Sequence, residues 1–202
     1  MIAAARSAPA TLRNRDPILE VLRPRLPKTG LVLEIAAGTG EHAVWFSRAL
    51  PGLTWRPTDP DPDALASIAA WRAAEGPPNL LAPLALSAAE PDAWPMDGAD
   101  AIVCINMIHI SPWSATEGLM AGAGRILPVG GLLYLYGPYR ETGRPTAPSN
   151  EAFNVSLKAR NPAWGLRQVS DVSALAATHG LARTDRIEMP ANNLSLVFEK
   201  RG

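Results

Sequence analysis

The chain has 202 residues, 47% hydrophobic and 19% charged, with Lys+Arg and Asp+Glu equal at 19 each. That is enough chain for one α/β domain with a substantial core, and the balanced charge removes the positive field that would draw in a nucleic-acid backbone or an anionic membrane. The lone Cys104, inside the apolar run Ala101 to Ile105, is expected in a core in a reducing compartment. No apolar run approaches the ~20 residues that cross a bilayer, so a cytoplasmic, membrane-free protein is expected.

Met1 to Arg15 carries Arg6, Arg13 and Arg15 and no acid. Such a composition fits a transit peptide, but weak amphipathic periodicity favours an N-terminal arm over residues 1–15 that is partly ordered over a ligand site. A single domain then occupies 16–202. Asp16-Pro17 reads as N-cap and first position of a helix with Ile18, Val21 and Leu22 inward, ended by Pro24 and Pro27.

Leu31-Val32-Leu33-Glu34-Ile35 is apolar apart from Glu34, as a central parallel strand requires. Gly38 and Gly40 follow and let the backbone turn sharply and approach a ligand where a Cβ would intrude. Glu41 then opens a helix with Ala43, Phe46, Ala49 and Leu50 on one face, stopped by Pro51-Gly52. Strand, glycine turn and helix N-terminus in that order make a nucleotide-type site. Gly38-x-Gly40-x-x-Ala43 alone also fits a dinucleotide fingerprint or a turn with no ligand.

Leu53 to Asp59 reads as the second strand, with Pro57 near a frayed end. Asp59 stands about 20 positions beyond Gly40, the spacing at which a second-strand carboxylate meets ribose hydroxyls. Asp61 and Pro62 start a helix with Leu65, Ile68 and Ala69 inward. Asn79 to Leu86 is a third strand weakened by Pro83, followed by a loop with one helical turn near Pro91. Asp100 to Asn106 is a buried strand, and its tail runs into Met107-Ile108-His109-Ile110-Ser111-Pro112-Trp113.

Ser114-x-x-Glu117 is a capping-box pattern ahead of the stripe Leu119, Met120, Ala123, Ile126 and Leu127. Leu132 to Tyr136 is the fifth strand. Gly137 to Ser149 is long for a connector and is expected to form a lid or binding loop. Ser149-Asn150-Glu151 caps a helix carrying Phe153 and Leu157. Ser170 to Thr178 is another helix, with His179 in its last turn and Gly180 closing it. Leu181 to Glu188 and Leu194 to Glu199, joined by a short turn, must pair antiparallel.

The run Glu34-x-Ala36-x-Gly38-x-Gly40, joined to a mostly parallel sheet that ends in an antiparallel pair, resembles class I S-adenosylmethionine (SAM)-dependent methyltransferases. Ala36 stands where their usual first glycine lies. Further matches are Arg13-Asn14, Ser67-Ile68, Asn106 to Trp113, Tyr136-Gly137-Pro138-Tyr139, Ser149-Asn150-x-x-Phe153 and Met189 to Leu194. With them, nearly the whole chain resembles an uncharacterised methyltransferase-like family that includes methyltransferase-like protein twenty-six.

The resemblance implies a Rossmann-like α/β fold, with a seven-stranded sheet, a C-terminal antiparallel hairpin and helices on both faces. It also implies SAM as cofactor. Glu34, Ala36, Gly38, Gly40, His42, Asp59, Ser87 and Asn106 would lie at the cofactor, with Arg13 or Arg15 on its carboxylate. One departure is Leu86-Ser87, where members tend to carry an acid in the adenine region; Ser87 retains a hydroxyl for hydrogen bonding.

The acceptor, a small molecule or a protein, would lie past the fourth and fifth strands. There His109 is the candidate base, because neutral imidazole takes a proton near physiological pH. Asn106 and Tyr139 would orient the reaction, and Trp113, Tyr139, Asn150 and Asn193 (with Asn192) would contact the acceptor. A satisfied buried histidine fits His109 equally, packing fits Tyr139, and a simple turn fits Asn192-Asn193. Three scattered histidines and one cysteine give no metal spacing. The rival functions are a non-catalytic cofactor- or partner-binding module on the same fold, and a nicotinamide oxidoreductase resting on the glycine pattern alone.

Overall fold

The computed structural model describes residues 5–202, and the first four residues of the expected arm lie outside the described residues. Five parallel strands are β1 (Gly30–Ile35), β2 (Leu53–Asp59), β3 (Leu84–Ala85), β4 (Ala101–Ile105) and β5 (Leu132–Gly137). The antiparallel hairpin β6 (Leu181–Met189) and β7 (Asn193–Lys200) completes a seven-stranded sheet in the order β3-β2-β1-β4-β5-β7-β6. This is the expected α/β architecture, with β4 in the middle and β1 beside it.

Alternation along the strands sends successive side chains to opposite faces. Leu33 and Ile35 of β1, Leu133 and Leu135 of β5 and Phe198 of β7 pack with α4 (Trp113–Ile126) and α6 (Val169–Thr178). Val32, Trp55, Val103, Tyr134 and Tyr136 pack on the other face with α1 (Pro9–Leu22) and α2 (Glu41–Ala49). Both faces are covered, which explains the near-continuous apolar runs of β1 and β4. Cys104 lies in this core, and burial pushes its thiol up to about 12.

Several boundaries differ from the sequence expectation, each for a local reason. The first helix begins at Pro9 rather than at Asp16, so Pro17 is interior to it. Pro9 takes the first-turn position where a missing N–H costs nothing, and burial of Thr11, Asn14, Ile18 and Leu22 carries the helix through the second proline. The third strand shrinks to two residues plus an isolated bridge from Trp55 to Leu80. Pro57 and Pro83 both lack the N–H that would continue that ladder.

Helix α3 (Pro62–Glu75) is capped by Asp61, whose side chain accepts from the Asp63 N–H, as expected. Its inward residues are Ala64, Ser67 and Ile68, whereas Ala69 is exposed. The helix is turned so that the Ser67 hydroxyl donates to the Thr39 carbonyl. Ser114 caps nothing, because α4 already starts at Trp113 behind Pro112; α5 (Pro148–Arg160) likewise starts at Pro148 without a side-chain cap.

The segment from Gly137 to Ser149 is tied down. Arg140 pairs through its backbone with Arg167 and Val169, and Arg186 on β6 holds Glu141 through two side-chain hydrogen bonds. Among the described residues, no helix is long and apolar enough to cross a membrane.

Candidate functional site

The turn after β1 is built by residues with left-handed backbones: Ala36 at φ 56°, Gly38 at φ 59° and Gly40 at φ 91°. A Cβ on Gly40 would come within 2.8 Å of the Ile68 Cα, so this glycine sets the contact between turn and α3. A Cβ on Gly38 would meet nothing within 4 Å. Gly38 therefore faces open space at the carboxyl ends of the strands, where ligands bind in open α/β sheets.

Ala36 takes the same conformation with a Cβ in place, which costs about 1 kcal/mol. Ala36→Gly is accordingly expected to raise stability by about 1 kcal/mol in urea unfolding; a less stable variant would refute the strain assignment.

Asp59 ends β2 beside this turn. Its carboxylate accepts from the Gly38 N–H at 2.9 Å and from the Asp61 N–H at 3.0 Å, and burial raises its pKa. Each oxygen keeps a second lone pair for a hydroxyl. Ser87 lies half-buried just after β3, with its carbonyl accepting from the Trp94 indole N–H at 3.0 Å.

Glu34 sits beneath the turn rather than on its open side. It is 1% exposed, accepts from the Trp55 indole N–H at 2.7 Å, and is pushed up to about 8 by burial. Trp55 packs on Phe46, and Phe46 stacks on His42 at 5.3 Å. Glu34 thus supports the turn through β2 and α2.

The residues just before α1 run across this site. The Ala8 N–H donates to Glu41 at 2.6 Å, the Arg6 N–H donates to Ser67 at 2.9 Å, and the Trp71 indole donates to the Arg6 carbonyl. Helix α1 continues over the strand ends. His42 Nε2 lies 2.9 Å from Asn14 Oδ1, and Asn14 also bonds the Tyr136 hydroxyl.

Next to the turn, a cleft of ≈ 630 Å³ opens over the ends of β4 and β5. Arg13, Asn14, Asn106, His109, Tyr136 and Phe153 are on its wall, with Asn150 and Asn193 at its far side. Asn106 holds φ 63° immediately after β4, a left-handed conformation that asparagine tolerates better than other non-glycine residues. His109 is 4% exposed and edge-on to Phe153 at 5.6 Å between ring centres.

Burial, with the charges of Arg167 and Arg160, lowers His109 to about 4. Burial and the two arginines thus hold the ring neutral, which leaves one ring nitrogen free to accept a hydrogen bond.

His42 is likewise lowered to about 4, chiefly by burial. Both histidines fall below their ordinary 6.5, so the unfolded chain takes up more protons as pH drops below 6.5. Their contribution to stability is present above that value and is lost toward pH 4, by at most about 3 kcal/mol each. Glu34 has the opposite sign: its contribution is present below its ordinary 4.5 and is lost as pH rises through about 8. Stability should therefore peak near pH ~6. Glu34→Gln should flatten the alkaline decline in urea unfolding. A wild-type protein more stable at pH ~8.5 than at pH ~6.5 would contradict this.

The structure does not gather every expected residue. Tyr139 is buried with the α4 and α6 core and lines a separate ≈ 270 Å³ pocket rather than the cleft. Trp113, at the start of α4, lies under the Arg167 guanidinium at 5.7 Å and is not on the cleft wall. Asn150 and Asn193 line both cavities, and their amides are engaged with the carbonyls of Asn192 and Pro190. Sequence reasoning missed Asn14 and Tyr136 as functional candidates, although both fall inside quoted motifs. The alternation that sends Tyr134 to the α1 side sends Tyr136 there too.

The fold is that of several solved methyltransferases. An O-methyltransferase family protein from Burkholderia thailandensis superposes with a TM-score of 0.76 at 16% identity, over 96% of this chain and 58% of that one. Human N-acetylserotonin methyltransferase in complex with SAM gives 0.79 at 12%, over 96% and 53%. A putative O-methyltransferase from Nostoc punctiforme gives 0.81 at 18%, over 94% and 56%. The chain spans a little over half the length of these three proteins, and at such identities the likeness shows the fold. Residues 5–200 match the family described as protein of unknown function (DUF938), and the chain belongs to that family.

Proposed function

We propose that this chain is a SAM-dependent methyltransferase acting on a small-molecule or protein acceptor. In this reading 16–202 is the catalytic domain, 1–15 is an N-terminal arm of which residues 9–15 are the first half of α1, and the cytoplasm is the location. The family likeness to methyltransferase-like protein twenty-six belongs to the same reading. One observation carries it: the open face at Gly38 and the Asp59 carboxylate meet at the strand ends, beside the cleft that holds Asn106 and His109.

Those residues suit the cofactor. Asp59 would accept from ribose hydroxyls, Ser87 would meet the adenine edge, and Arg13, with no acidic partner among the described residues, would pair with the carboxylate. Bound there, SAM supplies an electrophilic sulfonium methyl. The protein's own work is then mostly positioning, since an in-line nucleophile must be held about 3 Å away in a site shielded from water. Asn106 and neutral His109 orient that nucleophile by hydrogen bonds, and Asn14 and Tyr136 join helix α1 to the acceptor wall.

A thermal-shift series with SAM, its demethylated product and NAD tests the reading. Ligand at 100 times its Kd should add ~2.7 kcal/mol for the first two. Stabilisation by NAD alone would overturn it. Ser87, in place of an acid, favours the second reading of a non-catalytic binding module; that reading predicts SAM binding with no turnover of any acceptor.

A further inference from the structure

The cleft over β4 and β5 has a distinct chemical character. Among the described residues on its wall Arg13 alone is charged, and no carboxylate or lysine lines it. Ile110 and Phe153 are large hydrophobic side chains left 41% and 37% exposed at that wall, and Tyr136 and Pro138 add apolar surface between them. Surface of this kind is covered by an apolar ligand in a pocket of drug-like size. Most polar groups there are already engaged: Asn150 donates to the Asn192 carbonyl, Asn192 donates to Ser149, and Asn14 bonds His42 and Tyr136.

Besides the Arg13 guanidinium, the uncharged side chains of His109 and Asn106 on this wall make no side-chain hydrogen bond among the described residues. Both converge on Gly137. A Cβ there would stand 3.0 Å from His109 Nδ1 and 3.7 Å from Asn106 Oδ1, so the glycine keeps the space between them free. A neutral imidazole and an amide oxygen accept a hydrogen bond. A cationic ligand would find no carboxylate and would meet the positive field of Arg160 and Arg167. An anionic head at this point would face the lone pairs of both acceptors at close range, and Arg13, the cation on the wall, is the residue assigned to the cofactor carboxylate.

We infer that the cleft binds an uncharged small molecule with an aromatic or similarly flat apolar body, presenting one hydroxyl-type hydrogen-bond donor to His109 and Asn106. In the methyltransferase reading, on which the word acceptor rests, this molecule is the acceptor, and lysine or arginine side chains of proteins are not.

Three probes with one body and different heads test this by calorimetry on the full chain: 2-naphthol, 2-(aminomethyl)naphthalene and 2-naphthoate. At pH ~7.5 the naphthol should bind at least about tenfold tighter than either charged analogue. Phe153→Ala, at a half-exposed position, should weaken it at least about fivefold. His109→Leu should remove the preference for the naphthol over naphthalene itself, and His109→Gln, which keeps an acceptor, should restore it.

Equal or tighter binding of a charged analogue, no binding of the naphthol, or an unchanged preference in His109→Leu would each overturn the inference. SAM titrated into the same samples separates the two readings. Naphthol binding without SAM binding would end the methyltransferase reading and leave the cleft assignment standing; SAM binding without naphthol binding would do the reverse.

Discussion

Asp59→Ala is expected to weaken SAM binding by about 1–3 kcal/mol, roughly ten- to a hundredfold in Kd, through loss of a charge-assisted hydrogen bond to a ligand hydroxyl. The same carboxylate already holds the N–H groups of Gly38 and Asp61, so the variant should also lose stability as two donors are released. Asp59→Asn separates the effects. It keeps an acceptor for one of those N–H groups but replaces the second oxygen with a donor, so ligand affinity should fall further than stability does. Unchanged affinity in both variants would remove Asp59 from the site.

Gly40→Ala should be the most damaging change in the glycine turn to the fold itself. The residue holds φ 91°, and its new Cβ would meet the Ile68 Cα at 2.8 Å, backbone that cannot swing aside. Strain and displacement of α3 together should cost about 2–4 kcal/mol in urea unfolding. A loss under ~0.5 kcal/mol would mean that the turn and α3 are not packed as described. Gly38→Ala is the contrasting case. Its Cβ would meet no protein atom, so only the backbone term of about 1 kcal/mol applies to folding, while the methyl group enters the space assigned to the ligand.

The glycine turn was legible because its chemistry is local: a buried strand, two glycines and a helix start specify their own geometry. The hairpin was legible for a similar reason, since Met189 to Asn193 is too short to permit anything but antiparallel pairing. The first helix was misplaced because Asp16-Pro17 is a strong start signal, and what overrides it is burial of Thr11 and Asn14 against parts of the chain remote in sequence.

The same limit explains the cleft. Asn106 and His109 could be placed at the end of a strand, but the contribution of Asn14 depends on α1 crossing the sheet to reach His42 and Tyr136. Tyr139 was expected at the acceptor and Tyr136 only in the strand, yet the turn after β5 carries Tyr139 to the face opposite the one that Tyr136 occupies. The neutral state of His109 depends on packing and on two arginines about fifty residues downstream, which no local pattern reports.

The most direct measurement is a calorimetric titration of SAM into the wild-type protein and Gly38→Ala, with urea unfolding of both as the control for folding. The wild type should bind saturably at one site per chain, and Gly38→Ala should lose at least about tenfold in affinity while remaining folded. No binding to the wild type, or equal binding to both proteins, would contradict the claim that the open face of this turn is where the cofactor sits.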